Sequence, residues 1–378
     1  MAAFRDSQGN AVSELNIIRI LNSGTAIASI NDITLYAPAG GGGGSGGGSS
    51  SPSVESLVGK DGIRKSMEQF NDGDSIQLTE YPQSNRWGDK FAFRANISVF
   101  SKIRISFGQG TYGLWLEIDD TNLYVCKQGS TTPIAHGLTI SEHIEVIADF
   151  TSEYKINVTI NTLNGYYERS VNYGVVSGLK EVMCIGSVMT NAKFSATNPR
   201  YRCPVWVFGA SFESTGTDRW VHWCESWGYS NFLLNAYPGR ASIACFADFE
   251  KALVYGTPKY LFWTMFGNGT PDSLRDKINQ VKALGESLGF DVILTLRPSS
   301  RSQTTPEIFA DRREQTDIIS NSGCRVIDYS SAVLASNGDG WSDWRSGYIA
   351  ADGKHPTALG ARAIAAQICV DFPEIMQY

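Results

Sequence analysis

Three side chains in this sequence have the types and spacing for nucleophilic chemistry: Ser211, Asp352 and His355. Ser211 follows the run Val205-Trp-Val-Phe-Gly209-Ala210, an apolar stretch too short for a buried helix, which predicts a strand ending at Gly209. The glycine is expected to supply a permissive backbone for a sharp turn. That sets the serine just past a strand's carboxyl end, the edge where open α/β sheets bind ligands. A serine hydroxyl is inert until a base takes its proton, and the base needs orienting. Asp352-Gly-Lys-His355-Pro356 offers both on one tight loop. In this arrangement Ser211 Oγ attacks an ester carbonyl, and His355 takes its proton and returns it to the leaving alcohol. Asp352 accepts the Nδ1 proton and stabilises the imidazolium. The base works neutral, so activity is expected to fall as the imidazole protonates.

Each residue also has a plain structural reading. A serine after Gly-Ala is commonly a turn residue, His355 could cap the final helix, and Asp352-Gly353 is a frequent turn pair. The four histidines, His136, His143, His222 and His355, have no metal-ligand spacing, and no metal or other cofactor is implied. His222, among tryptophans, reads as structural.

The elements that must position the triad begin near Cys203, where strands and helices alternate. Further strands are predicted at 231–235, 259–265, 291–296 and 325–329. A first helix carries Trp220, Cys224 and Trp227 on one face. A longer one shows Leu274, Ile278, Val281 and Leu288, with Asp272 near its start and Gly289 at its end. The last starts near Thr357, stiffened by Pro356, and carries Leu359, Ala363, Ile364 and Ile368. This alternation predicts a three-layer α/β/α domain over 201–378 with a parallel five-stranded sheet.

Upstream, residues 54–200 read as short alternating strands, including 90–94, 102–107, 112–118, 123–126, 143–149 and 154–160, separated by Gly-, Asn- and Asp-rich turns. They predict a β-sandwich, loosely similar to the concanavalin-like jelly rolls, which often bind glycans. Its aromatics could stack on sugar rings or simply fill the core. Residues 37–53 form a Gly/Ser-rich linker without a phosphate-binding pattern. Residues 1–36 form a small β-rich segment, too little for its own core, expected to dock on a partner or form a homo-oligomer.

Composition limits the partners. A net charge of −6 over 378 residues, without a basic run, argues against nucleic acid and anionic membranes. The opening residues show no secretion signal and no window has the length of a membrane helix. The seven scattered cysteines read as reduced, mostly buried thiols. Synthesis in a reducing cytoplasm is expected, with the final location open, a virion or released form included.

Taken together, Gly209-Ala-Ser211, Tyr237-Pro-Gly239-Arg-Ala-Ser242, Phe266-Gly-Asn268-Gly and Asp352-Gly-Lys-His355-Pro356, with Trp341, Gly347 and Tyr348 before the last, resemble in order and spacing the four blocks of the SGNH (GDSL-like) hydrolases. The resemblance implies Ser211 as nucleophile, Asp352 and His355 as its partners, and an oxyanion hole from the Ser211 and Gly239 backbone N–H groups and the Asn268 amide. Two departures stand out: Ala210 replaces the usual Asp, and Phe266 and Gly269 replace the Gly and Asp that usually surround the asparagine. The Asp lies outside the triad, so Ala210→Asp is expected to leave activity intact or raise it.

The function expected is a serine esterase acting through an acyl-enzyme, removing O-acetyl groups from carbohydrate or cleaving another small ester; bulky Phe212 and Phe266 suit a small acyl group. A lipase or thioesterase belongs to the same class. The alternative is a glycan-binding or appendage protein on a degenerate hydrolase fold, such as a phage particle component, motivated by the two departures.

Overall fold

The computed structural model describes residues 54–377, apart from 60–61, 83–87, 109–112, 128–129, 152–154, 173–177, 215–217, 299–305 and 336–343. The segments 1–36 and 37–53, and Trp341, lie outside the described residues. The chain divides into two compact units, one ending at Asn198 and the other starting at Pro199.

In the first unit the described strands form two antiparallel sheets. The larger runs in the order β1 (Val54–Gly59), β2 (Gly62–Asn71), β13 (Val188–Thr197), β4 (Lys90–Val99), β9 (His143–Phe150), β10 (Lys155–Thr162), β11 (Gly165–Asn172). The smaller runs β3 (Ser75–Gln77), β12 (Glu181–Ile185), β5 (Lys102–Gly108), β6 (Leu114–Asp119), β7 (Asn122–Lys127), β8 (Ser130–Ala135). The strands alternate as a half-buried sheet requires: on β9, Ile144, Val146, Ala148 and Phe150 are buried and their neighbours are not. Phe107 on β5 packs against Phe91 on β4 and Phe150 on β9, ring centroids 5.1 and 5.2 Å apart, so the inner faces share one aromatic core. Trp115 and Tyr124 face away from that core, beneath Arg104 and Lys102. Several strands escaped the alternation reading, β2 and β13 among them.

The second unit holds a five-stranded parallel sheet in the order β15 (Phe232–Ala236), β14 (Val205–Gly209), β16 (Tyr260–Thr264), β17 (Asp291–Leu296), β18 (Arg325–Asp328). Every residue of β14, β15 and β16 is buried, because helices cover both faces. Successive side chains point to opposite layers. Val205 and Val207 join Trp220, Val221 and Cys224 of α2 (Trp220–Ser226), α6 (Tyr329–Val333) and α7 (Ala358–Asp371). Trp206 and Phe208 turn the other way, onto Phe249 of α3 (Ser242–Ala252) at 6.3 and 5.2 Å between centroids. On that layer follow α4 (Pro271–Leu288) and α5 (Pro306–Ser320).

The helix ends follow local chemistry. Thr270 caps α4 by accepting from Ser273 N, and Gly289 closes it in the left-handed region at φ 78°. Thr357 caps α7 by accepting from Gly360 N, so Pro356 stands before the cap and not in the first turn. Trp227 and Leu359 depart from expectation. Trp227 lies past the end of α2 and is 36% exposed, and Leu359 is 49% exposed. Both miss the buried stripe because each sits at a helix end, where the face swings off the sheet. Cys126, Cys184, Cys203, Cys224 and Cys245 are buried free thiols, and burial pushes Cys184 up to about 11. No helix of the described residues is long and apolar enough to cross a membrane.

Ile364→Ala should cost about 2–5 kcal/mol through the cavity it leaves, whereas Leu359→Ala should change stability by no more than about 0.5 kcal/mol. Thermal denaturation of the two variants, followed by near-ultraviolet circular dichroism, separates them.

Candidate active site at the carboxyl edge of the sheet

Parallel pairing in register aligns the ends of three adjacent strands: Gly209 lies opposite Ala236 on one side and Thr264 on the other. The segments that follow therefore emerge at one edge. β14 delivers Ser211 at the start of α1 (Ser211–Ser214), β15 leads to Gly239, and β16 leads to Asn268. Gly209 departs from the expected reason for its presence. Its φ is not positive, and a Cβ there would run into Thr264 Oγ1 and the Glu213 carboxylate. Close approach, not turn geometry, demands the glycine.

Glu213, two residues past Ser211, is fully buried. Its Oε2 accepts from Ala210 N at 3.2 Å and from Arg297 Nη2 at 3.1 Å. Arg297 follows β17 and also donates to the Thr264 carbonyl, which ties the ends of three strands together. Burial pushes the Glu213 carboxyl up from its ordinary value, against the pull of Arg297. The Arg297 guanidinium also stacks 4.8 Å from the Phe212 ring.

Phe212 carries the contact that joins the two ends of the unit: its ring lies 5.6 Å from the His355 ring. The nucleophile candidate and the base candidate thus belong to the same corner of the fold. His355 Nδ1 is 2.6 Å from Asp352 Oδ2. Asp352 Oδ1 accepts from the backbone N–H of Lys354 at 2.9 Å and of His355 at 3.0 Å, so a tight turn holds the pair. Partial burial opposes ionisation of Asp352, but its bonds from His355 and Lys354 outweigh that and bring its pKa down to about 2. With Nδ1 directed at the carboxylate, Nε2 is the nitrogen left to act as base. The loop is fastened by Ala350 N donating to the His355 carbonyl, 2.8 Å, and by Thr357 Oγ1 donating to the Gly347 carbonyl, 2.7 Å.

The two flanking loops are anchored by side chains to which the sequence reading gave no role. Arg240, with no exposed surface, donates to Asn235 O and Oδ1 at 2.9 and 3.0 Å and to Asp248 Oδ2 at 2.7 Å, just after Gly239. Gln315 on α5, 2% exposed, brackets Asn268: its Oε1 accepts from Gly267 N at 2.7 Å and its Nε2 donates to the Gly269 carbonyl at 3.1 Å. Ser242 Oγ donates to the Asn268 carbonyl at 3.3 Å. Gly267 and Gly269 hold φ of 81° and 143°, which side chains rarely adopt, so the glycine in the place of the usual Asp answers a backbone need. His222, on α2, meets Trp223 edge-on with ring centroids 5.7 Å apart. The cavity of about 500 Å³ lined by Lys282, Gly323 and Arg325 lies at the opposite edge, where β16, β17 and β18 begin.

The expectation for Ala210→Asp changes here. Ala210 is fully buried with its N–H on the Glu213 carboxylate, so a second carboxylate would be desolvated beside the first.

No family model matches the chain, and no curated protein does. Among solved structures, a protein of the G-D-S-L family from Desulfitobacterium hafniense aligns at 12% identity over 45% of this chain and 100% of its own, TM-score 0.39. A GDSL-like lipase from Bacteroides thetaiotaomicron aligns at 18% identity over 46% and 88%, TM-score 0.36. A GDSL-like protein from Bacteroides ovatus aligns at 12% identity over 77% and 85%, TM-score 0.38. At these scores the likeness carries no functional weight beyond the residues themselves.

Two substitutions test the site's supports. Gln315→Ala should cost about 1–3 kcal/mol, read by thermal denaturation, because the Gly267 N–H and the Gly269 carbonyl lose their buried partner. Ala210→Asp should lower the melting temperature by several degrees, about 1–3 kcal/mol for an unsatisfied buried polar group; a variant as stable as wild type would contradict the packing around Glu213.

Proposed function

We propose that the second unit is a serine carboxylic-ester hydrolase. The observation that carries this reading is the contact of Phe212 with His355, while His355 is held by Asp352 at 2.6 Å. Ser211 Oγ attacks the ester carbonyl as His355 Nε2 takes its proton. The tetrahedral oxyanion receives the Ser211 and Gly239 backbone N–H groups and the Asn268 amide, each worth about 10²–10³ in turnover. His355 then protonates the leaving alcohol, and water repeats the sequence to free the acid. Asp352 stays ionised down to about pH 2, so its charge steadies the imidazolium throughout the neutral range.

The preferred substrate class is an O-acetyl ester of carbohydrate. Phe212 and Phe266, both nearly buried beside the reacting residues, suit a small acyl group. The adjoining two-sheet unit, read as a jelly roll, would supply a second hold on a glycan. The binding-protein reading draws on Ala210; the Glu213 carboxylate that accepts the Ala210 N–H offers an alternative brace for that turn. Residues 1–36 would serve docking or self-association.

A fluorophosphonate should label wild type at Ser211, located by mass spectrometry, and Ser211→Ala should neither be labelled nor release nitrophenol from its acetyl ester. Silence of wild type in both assays would favour the binding reading. The acid limb of the pH profile should carry no contribution from Asp352 above about pH 3, because its lowered pKa moves its own loss of charge to about pH 2. Asp352→Asn should cost about 10⁴ in kcat; a profile needing a second acid group above pH 3 would contradict that assignment.

A further inference from the structure

Arg312 lies on α5, one turn before Gln315, and its guanidinium is placed against the loop that carries Asn268. A side chain at Gly267 would collide with Arg312 Nη1, so the bare glycine backbone lets the charge rest directly on that loop. The Phe266 ring lies 5.6 Å from the guanidinium carbon and gives it a flat seat. Phe266 stands where the resembled family has glycine, so that departure from the pattern builds the seat.

The charge is half-buried and unanswered. Among the described residues no carboxylate lies within ion-pair distance of Arg312, and no acceptor takes its side-chain N–H groups. Of the acids nearby, Glu213 is taken by Arg297 and Glu314 pairs with Arg275 at 2.9 Å, while Asp311, next along the helix, acts on Arg312 through its charge without forming an ion pair. Burial and the like charge of Arg297 act against the guanidinium's charge and outweigh the opposing pull of Asp311. A desolvated cation without an anion is unfavourable, and an arriving anion relieves it. The planar fork of donors matches a carboxylate in two-point fashion.

We propose that Arg312 binds a carboxylate carried by the alcohol part of the substrate, so that the esters cleaved here belong to acidic sugars of the uronic type. The proposal rests on the esterase reading above and narrows it. An acetyl group has no charge to offer, so the anion must sit on the sugar. The protein's net charge of −6 would by itself disfavour an anionic substrate, so any preference has to arise locally.

The test compares acetate release from O-acetyl galacturonate and from the uncharged O-acetyl galacturonamide. Wild type should favour the acid in kcat/KM by about 10–100-fold, the range of a charge-assisted pair. Arg312→Gln should bring the ratio near one, and Arg312→Lys, which keeps the charge but loses the fork, should lie between. A ratio near one in wild type, which needs no variant to be folded, would overturn the proposal, as would a preference retained in folded Arg312→Gln. Binding of free galacturonate to Ser211→Ala, measured by calorimetry with and without Arg312→Gln, separates this site from the chemistry. If wild type releases acetate from neither ester, the esterase reading fails, and binding that Arg312→Gln weakens at least about tenfold still sustains the carboxylate site. Absent binding, or binding indifferent to the substitution, sinks it.

Discussion

A carboxylate with no access to water stands two residues past the nucleophile candidate, and the corner of the sheet is arranged to tolerate it. Glu213 meets Arg297 at 3.1 Å and the Ala210 N–H at 3.2 Å, and Arg297 reaches the Thr264 carbonyl. The end of β14 is thereby tied to the ends of β16 and β17. Such a pair contributes little net stability, since desolvation cancels most of the attraction, yet breaking it by removing one partner typically costs about 3–5 kcal/mol. Its effect is therefore to exclude other geometries of this turn. Gly209 is part of the same constraint, because any side chain there would occupy the space of the carboxylate.

From that corner the remaining order spreads by contact. Arg297 stacks under Phe212, and Phe212 meets His355. His355 is oriented by Asp352, whose turn is closed by its own backbone bonds. The loops on either side are secured from the opposite layer: Arg240 is fixed through Asp248 on α3, and Gln315 on α5 fixes the Asn268 loop. Each donor expected of an oxyanion site thus stands on a backbone braced by a nearly or fully buried polar side chain, which is what preorganisation of a developing charge requires.

Much of this was legible in advance where the signal is local. The strand at 291–296, the glycine that ends the helix at 289 and the Asp-x-x-His pair are all written in a few adjacent residues. Strands such as β2 and β13 were missed because Lys, Arg, Thr and Asn interrupt their alternation, and their burial comes from neighbours far along the chain. Leu359 and Trp227 were misplaced for a related reason: periodicity gives the face of a helix but not where the sheet stops covering it.

By itself the sequence determined the alternation of strand and helix after Cys203, the position of Ser211 at a strand end and the pairing of Asp352 with His355, because each depends on residues within about one or two turns of chain. Only the tertiary structure decided which neighbours those groups have. Glu213, Arg297, Gln315 and Arg312 carry no motif, and Arg240 stands in a block that assigns it no role. They matter because the parallel sheet brings distant strand ends to one edge, where a charge excluded from water, such as that of Glu213, finds its partner.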